Sequence, residues 1–579
     1  MRKAFLVTLL FVLITCLSFA TITSQTVASS LGMVSAANPY AAEVGAKILE
    51  EGGNALDAAI AVSYALGVVE PYASGLGGEG YAIISLASGE KYAVDFKAMT
   101  PAIATYEKLA ELGTKISNVR YTPKGALVPG IPAGTQKIWE LGATMPMADL
   151  INPSIELARN GIIVNDTFAG VVSDGYEKLL ENAPEFLNDG LAWESGDLFK
   201  NEALADTLEI LAAEGVESFY KGTLAKNIAE FMKENEGFIT AEDMADYEAY
   251  VKEPIHGTYR GYDLYVPHPP VSGPQLIAVM NLLENFNLSA MSWDDPLAVH
   301  IIQQALVLED VDRKFYISDP EFHTLPVEGF ISKEFAKMRF MKIDLTKAMD
   351  PNTYFDNVGD AFVFDNGENY ESVLLAEANK EAKSQEDIYE SPSTTHFSVV
   401  DKYGNSVAWT QTISSFWGTS NFLDGYFFNN EIGNFASSFR PGDIINLTPG
   451  MRVRTTICPT IIEKDGQVKY VIGTPGGGRI ISTVVQLIVD LIDFDMPIDQ
   501  AVKTPKFVGY SSYKDVRIES GYPAETLEVL EKVLGHKIKE YTYPDLYFGG
   551  PNIISVENDG MMIGMGSVRR NGAASAPEM

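Results

Sequence analysis

The chain has 579 residues, 46% hydrophobic and 21% charged, which suits a large buried core and excludes disordered, collagen-like and coiled-coil classes. Its 77 acidic and 43 basic residues leave a net charge of −34, which repels phosphate backbones and argues against nucleic acid as a partner. No linker, low-complexity tract or internal repeat divides it, so one large domain or two closely fused ones are expected.

Met1-Arg2-Lys3 and the uncharged run from Ala4 to Ala20 read as a secretory signal, with a membrane anchor or lipidation at Cys16 as alternatives. Cleavage near Ala28 would make residues 1–28 a signal peptide and the protein exported: extracellular, periplasmic or associated with the cell envelope. Cys458 would then be the one remaining cysteine, which precludes an internal disulfide; between Ile457 and Pro459 it reads as a buried, inert thiol.

Helical periodicity over Pro39–Glu51 and Asn54–Val69, broken at Gly52-Gly53, predicts a helical hairpin. The following Gly75-Leu76-Gly77-Gly78-Glu79-Gly80 has dinucleotide-loop spacing, yet a helix precedes it and the strand-like YAIISLAS follows, the reverse of a nucleotide site. These glycines are expected to let backbone pass close to a neighbouring element. From Leu141 to Phe330 the pattern is mostly helical, with a cap at Thr240 and a strand pair at Gly257–Val266. Asp344–Ser391 loses periodicity and reads as an exposed mobile loop.

Beyond it, STTHFSVVD and SVAWTQTIS alternate about Lys402–Asn405, a hairpin. Pairing Lys402 with Ser406 puts Ser414 opposite Thr394 and Thr412 opposite His396, all on one face. Further strands are expected at Tyr426–Phe428, Ile457–Ile462 and Lys469–Gly473, then a helix over Ile480–Phe494.

The common metal, redox, nucleotide and serine-hydrolase motifs are missing, and the six histidines are scattered, so neither metal nor cofactor is expected. Two features remain. Ser393-Thr394-Thr395 sits where a polar segment meets an apolar strand; cleavage before Thr394 would give its hydroxyl a free α-amine as base. The alternative is a threonine-rich strand. Gly473–Arg479 (GTPGGGR) precedes a helix and offers backbone N–H groups, suited to an oxyanion since no Walker lysine follows; a tight strand-to-helix turn is the alternative.

STTHFSVVDKYGNSVAW, CPTII and GTPGGGR together resemble the small subunit of gamma-glutamyltransferases, members of the N-terminal nucleophile hydrolase superfamily. GMVSAANPYAAEVGAKILEEGGNALDAAIAVSYALGVVEPYASGLGGEGYAII resembles the start of their large subunit, and ITAEDMADYEAY with GTYRGYDLY its middle. The resemblance implies an α+β fold, a four-layer αββα sandwich. It also implies a precursor cut between Ser393 and Thr394 into a large subunit, 29–393, and a small catalytic subunit, 394–579, which stay together as a heterodimer in one domain. It implies Thr394 as nucleophile, Thr412 in support, Gly476 and Gly477 as the oxyanion hole, and a donor pocket at Lys97, Ser414, Glu431, Asn434, Thr455 and Thr456.

Several of these depart from the family pattern. Lys97 stands where an arginine is usual, Asn434 for an aspartate that meets the donor ammonium, Ser414 for an asparagine, and Thr455-Thr456 for a serine pair. Ala436–Met451 is shorter than in members with a lid, which implies a more open cleft. The expected activity is acyl transfer from a γ-glutamyl amide such as glutathione to water or an amine. The alternatives are an acylase for glutaryl-like or polymeric γ-glutamyl donors, and an inactive binding protein of the same fold.

Overall fold

In the computed structural model, which describes residues 25–365 and 393–578, fourteen strands form two large antiparallel sheets. In chain order these strands are β1 (Val27–Ser29), β2 (Gly32–Ala36), β3 (Glu79–Ser85), β4 (Lys91–Phe96), β5 (Tyr250–Lys252), β6 (Ile255–Tyr259) and β7 (Tyr262–Val266). The later ones are β8 (Thr395–Asp401), β9 (Ser406–Thr412), β10 (Thr460–Lys464), β11 (Gln467–Ile472), β12 (Ile553–Val556), β13 (Met562–Met565) and β14 (Ala573–Ser575). The first sheet runs β14-β2-β8-β9-β3-β4-β5 and the second β1-β13-β12-β11-β10-β7-β6.

Alternation along the central strands explains why the sheets stack. Val34, Ala82, Ile84, Val399, Val407 and Trp409 pack outward from the first sheet against the hairpin of α1 (Pro39–Glu50) and α2 (Ala55–Val69). Met33, Tyr81, Ile83, Val400 and Ala408 point the other way, onto Ile461, Ile462, Val471 and Ile472 of the second sheet. With period-2 side chains apolar on both faces, a sheet must be covered twice. The second sheet is covered in turn by α3 (Gly273–Leu283), α4 (Pro296–Tyr316) and α5 (Ile480–Ile492), which completes an αββα sandwich.

The helical hairpin forms as its sequence predicts. Asn54 accepts from the N–H of Leu56 and Asp57, while the Asp57 carboxylate accepts from the Asn54 N–H, so α2 begins with a closed capping box. Thr240 and Asp243 make the same arrangement at Ala241–Ala245. The glycine run after α2 is explained by close approach. A Cβ at Gly77 would lie 2.2 Å from the Phe427 carbonyl oxygen, one at Gly78 2.5 Å from that of Thr412, and one at Gly80 2.4 Å from that of Thr410.

Two expectations are corrected. The β8–β9 register pairs Thr395 with Gln411 and His396 with Thr410, which places Thr412, not Ser414, opposite Thr394. The turn sits one residue earlier than Lys402 pairing with Ser406 would place it: the Asp401 N–H donates to the Asn405 carbonyl, and the Asp401 carboxylate accepts from the N–H groups of Tyr403 and Asn405 and caps the turn. A shift of two residues keeps every side chain on its face. Second, the stretch read as a mobile loop from Asp344 is ordered as far as Asp365: turns at Pro351–Asn357 and Ala361–Phe364 bury Tyr354, Phe355 and Phe362 beside Phe315 and Tyr316 of α4. The remainder, residues 366–392, lies outside the described residues. Val27–Ser29 forms β1 on β13, with Ala28 inside it, and residues 1–24 of the expected signal lie outside the described residues.

Candidate active site

Thr394 ends the segment that enters β8, at the mouth of a cavity of ≈ 210 Å³. Its φ is 101°, in the left-handed region that favours glycine. For a β-branched residue this is strained backbone, worth on the order of 1–3 kcal/mol. The Thr394 Oγ1 donates to Thr412 Oγ1 at 3.1 Å, and Thr412 Oγ1 also accepts from the Ser414 N–H at 2.8 Å. Ser393 is buried before it, its hydroxyl donating to the Ser414 carbonyl.

The carbonyl of Thr394 is held from the far end of the chain. Arg570 donates to it from one guanidinium nitrogen, while two others meet the Glu70 carboxylate at 3.2 and 3.1 Å. Tyr72 adds its hydroxyl to Glu70 at 3.0 Å. The whole group is buried, where a two-pronged ion pair with its lone pairs satisfied keeps a fixed geometry.

Gly477 and Gly478 line the cavity, with Gly476 just behind them at φ 143° and Gly477 at 54°. Among the described residues no hydrogen bond takes the N–H of Gly476, Gly477 or Gly478; of the expected oxyanion pair, Gly477 lines the cavity and Gly476 does not, while Gly478 does. Bare N–H groups at a helix start suit an oxyanion. The Gly477 carbonyl accepts from the Thr456 hydroxyl at 2.6 Å.

The donor-pocket residues are only partly brought together. Ser414, Glu431, Asn434, Thr455 and Thr456 line the cavity with Thr394 and Thr412. The Thr455 hydroxyl is buried there without a hydrogen-bond partner. Lys97, expected at a substrate carboxylate, lies behind the wall instead: fully buried, it donates to Glu79 and stands 3.6 Å from Glu431. Two carboxylates thus share one ammonium. Burial, reinforced by Glu431, holds the Glu79 carboxyl well above the ordinary carboxylate range, against the pull of Lys97. Glu431 Oε2 also accepts from the Asn434 amide at 2.7 Å.

Sequence reasoning missed Arg120, Arg313, Arg440 and Arg454, all in the wall. No local pattern marks them, since they come from three regions far apart in the chain, with Arg440 and Arg454 in the last. The Ala436–Met451 segment supplies Arg440 along with Ala436, Ser437 and Ile445. His396, two residues after Thr394, is buried in the sheet with Nδ1 on Thr410 at 2.8 Å, and burial lowers its pKa to about 3. Cys458 is buried, its thiol pushed up to about 12.

The profile of the gamma-glutamyltranspeptidase family matches residues 41–577. The chain belongs to this family. The glutathione hydrolase proenzyme of Escherichia coli K12 is 35% identical over 86% of this chain and 84% of its own. The acylase ACY 1 proenzyme of Pseudomonas sp. SE83 is 30% identical over 94% of both. Among solved structures, the cephalosporin acylase of Bacillus halodurans superposes with a TM-score of 0.84 at 26% identity, covering 96% of this chain and 97% of its own. The αββα sandwich is therefore that of the N-terminal nucleophile hydrolases, and the protein is an enzyme of this gamma-glutamyltranspeptidase family.

Proposed function

We propose that the protein is an exported, self-processing γ-glutamyl transferase and hydrolase with Thr394 as nucleophile. One observation carries this reading: a strained threonine whose hydroxyl is hydrogen-bonded to Thr412 faces a cavity walled by the unused N–H groups of Gly477 and Gly478. Attack of Thr394 Oγ1 on the Ser393 carbonyl carbon breaks the peptide C–N bond, moves the acyl group to oxygen and releases the Thr394 nitrogen as an amine. Water then hydrolyses the ester, leaving a Ser393 carboxylate and a free hydroxyl. Cleavage also relieves the φ strain at Thr394.

The new α-amine, with an ordinary pKa near ~8, takes the hydroxyl proton as Oγ1 attacks a donor amide. The tetrahedral oxyanion is met by the glycine N–H groups, the leaving amine takes the proton, and water or an acceptor amine releases the acyl group. The two fragments stay together because β8 and β9 from the second are flanked by β2 and β3 from the first. The substrates are γ-glutamyl amides of the glutathione type. On a denaturing gel the wild-type protein runs as two chains, the smaller beginning at Thr394, and Thr394→Ala as one; normal cutting of Thr394→Ala would overturn the assignment.

A second reading has its own support. The carboxylate expected to receive a donor ammonium, Glu431, already accepts from Asn434 and stands beside Lys97, and two of the proteins similar to this chain are named acylases. Initial rates on γ-glutamyl and glutaryl anilides decide between them, and a preference for glutaryl selects the acylase.

A further inference from the structure

Residues 436–447 cross the edge of the cavity as a strap, four of whose side chains, Ala436, Ser437, Arg440 and Ile445, line it. The strap is tied to itself. The Ala436 N–H donates to the Ile445 carbonyl at 2.9 Å, the Arg440 N–H to the Asn446 side-chain oxygen at 3.0 Å, and the Asn446 amide returns to the Arg440 carbonyl at 2.6 Å. Its ends are sunk in apolar surroundings, where Phe435 and Leu447 are buried with Leu109, Ile116 and Val119. A surface loop with its own hydrogen bonds and buried apolar ends moves as one unit, and whatever holds those ends decides whether it moves.

One side chain joins both ends. Tyr106 opens the helix Tyr106–Glu111, and its hydroxyl donates to the Ala436 carbonyl at 2.7 Å while accepting from the Leu447 N–H at 3.2 Å. Burial pushes this phenol up to about 12, so the hydroxyl keeps its proton, and with it the bond to Ala436, at any ordinary pH. The Tyr106 ring also meets the Phe439 ring edge-on, with centroids 6.1 Å apart. Thr105 caps the helix by accepting from the Lys108 N–H at 3.0 Å, which fixes where Tyr106 stands. Tyr106 lies behind the strap and does not line the cavity, and none of these bonds involves Thr394, Thr412 or the glycine loop. Its leverage is on the shape of the cavity and not on the nucleophile. We propose that Tyr106 is a positioning residue for substrate binding, which holds both ends of the 436–447 strap so that this side of the cavity is a fixed rim and not a lid. The proposal rests on the acyl-transfer reading above, in which cleavage before Thr394 leaves Tyr106 on the first fragment and the strap on the second. The clamp is then a bond through which one fragment shapes the cavity of the other, and a rim set in advance spares the substrate the cost of ordering it.

Tyr106→Phe keeps the ring and removes both hydrogen bonds. In the full-length protein, hydrogen exchange followed by mass spectrometry is expected to speed up about tenfold over residues 436–447 and to stay as in wild type over β8 and β9. Steady-state kinetics on γ-glutamyl-4-nitroanilide are expected to show KM raised about fivefold with kcat within about twofold, a split that mere loss of stability does not produce, since unfolding lowers the active fraction and leaves KM alone. Asn446→Ala loosens the strap from within and leaves Tyr106 in place, and it is expected to shift exchange and KM in the same directions. Unchanged exchange over the strap in Tyr106→Phe, or an unchanged KM, overturns the proposal. Where the wild-type protein cleaves glutaryl-4-nitroanilide and no γ-glutamyl amide, the donor reading fails, and the KM for the glutaryl anilide then reads the clamp in the same way.

Discussion

Thr456→Val tests whether the second hydroxyl of the threonine pair grips substrate or braces the catalytic loop. Valine keeps the shape of threonine and removes the O–H that donates to the Gly477 carbonyl at 2.6 Å. That bond contributes about 0.5–1.5 kcal/mol, and the carbonyl keeps a second donor, the Ile480 N–H. Without the hydroxyl, Gly476 and Gly477, at φ values of 143° and 54°, are held less firmly. A loss of about 0.5–1.5 kcal/mol at the oxyanion corresponds to a fall in kcat of about 2- to 13-fold. KM is expected to stay within about twofold, because the hydroxyl does not touch the ground-state substrate. Steady-state kinetics on a γ-glutamyl anilide, with protein shown to consist of two chains, reads both constants. Thr456→Ser restores the donor and with it kcat. A KM raised about tenfold with kcat unchanged, or failure of serine to rescue, refutes the bracing role.

Other consequences are equally accessible. Glu70→Leu strands the buried Arg570 guanidinium and is expected to cost about 3–5 kcal/mol, seen as a lowered thermal midpoint, with slower appearance of the two-chain form. His396 has its pKa depressed to about 3 from 6.5, so the stability it contributes is complete above about pH 6.5 and is lost as pH falls toward 3. Over that window the loss is on the order of 5 kcal/mol, and His396→Gln should flatten the acid limb of a denaturation profile by about one proton; an unchanged slope counts against it. Mass spectrometry of the purified protein is expected to find an amino terminus ahead of Val27, since cutting after Ala28 would remove most of β1 from the second sheet; a terminus at Ser29 would contradict this.

Much of the fold was readable because local signals agreed with the tertiary outcome. Asn54 and Asp57 announce the start of α2, and alternation in β8 and β9 survives burial on both faces. The hairpin register was not readable, since it depends on one aspartate side chain capping the turn and so fixing where the strands end. Thr394 and the glycine loop stood out because each lies in a contiguous motif, and Thr412 came through the resemblance; the structure brings Thr394, Thr412 and Gly477 to one cavity. The arginines did not, as their meeting point is a product of topology. Lys97 shows the opposite error: a cation at an expected position is drawn away by Glu79, itself inside a glycine run that drew attention for its backbone and not its charge.

The Arg570 grip on the Thr394 carbonyl fastens remote parts of the sequence to one peptide group. Arg570 and Glu70 stand 500 positions apart, so this carbonyl takes its seat only where both segments have packed. A local stretch around Thr394 therefore does not by itself set the geometry there; the tertiary fold does.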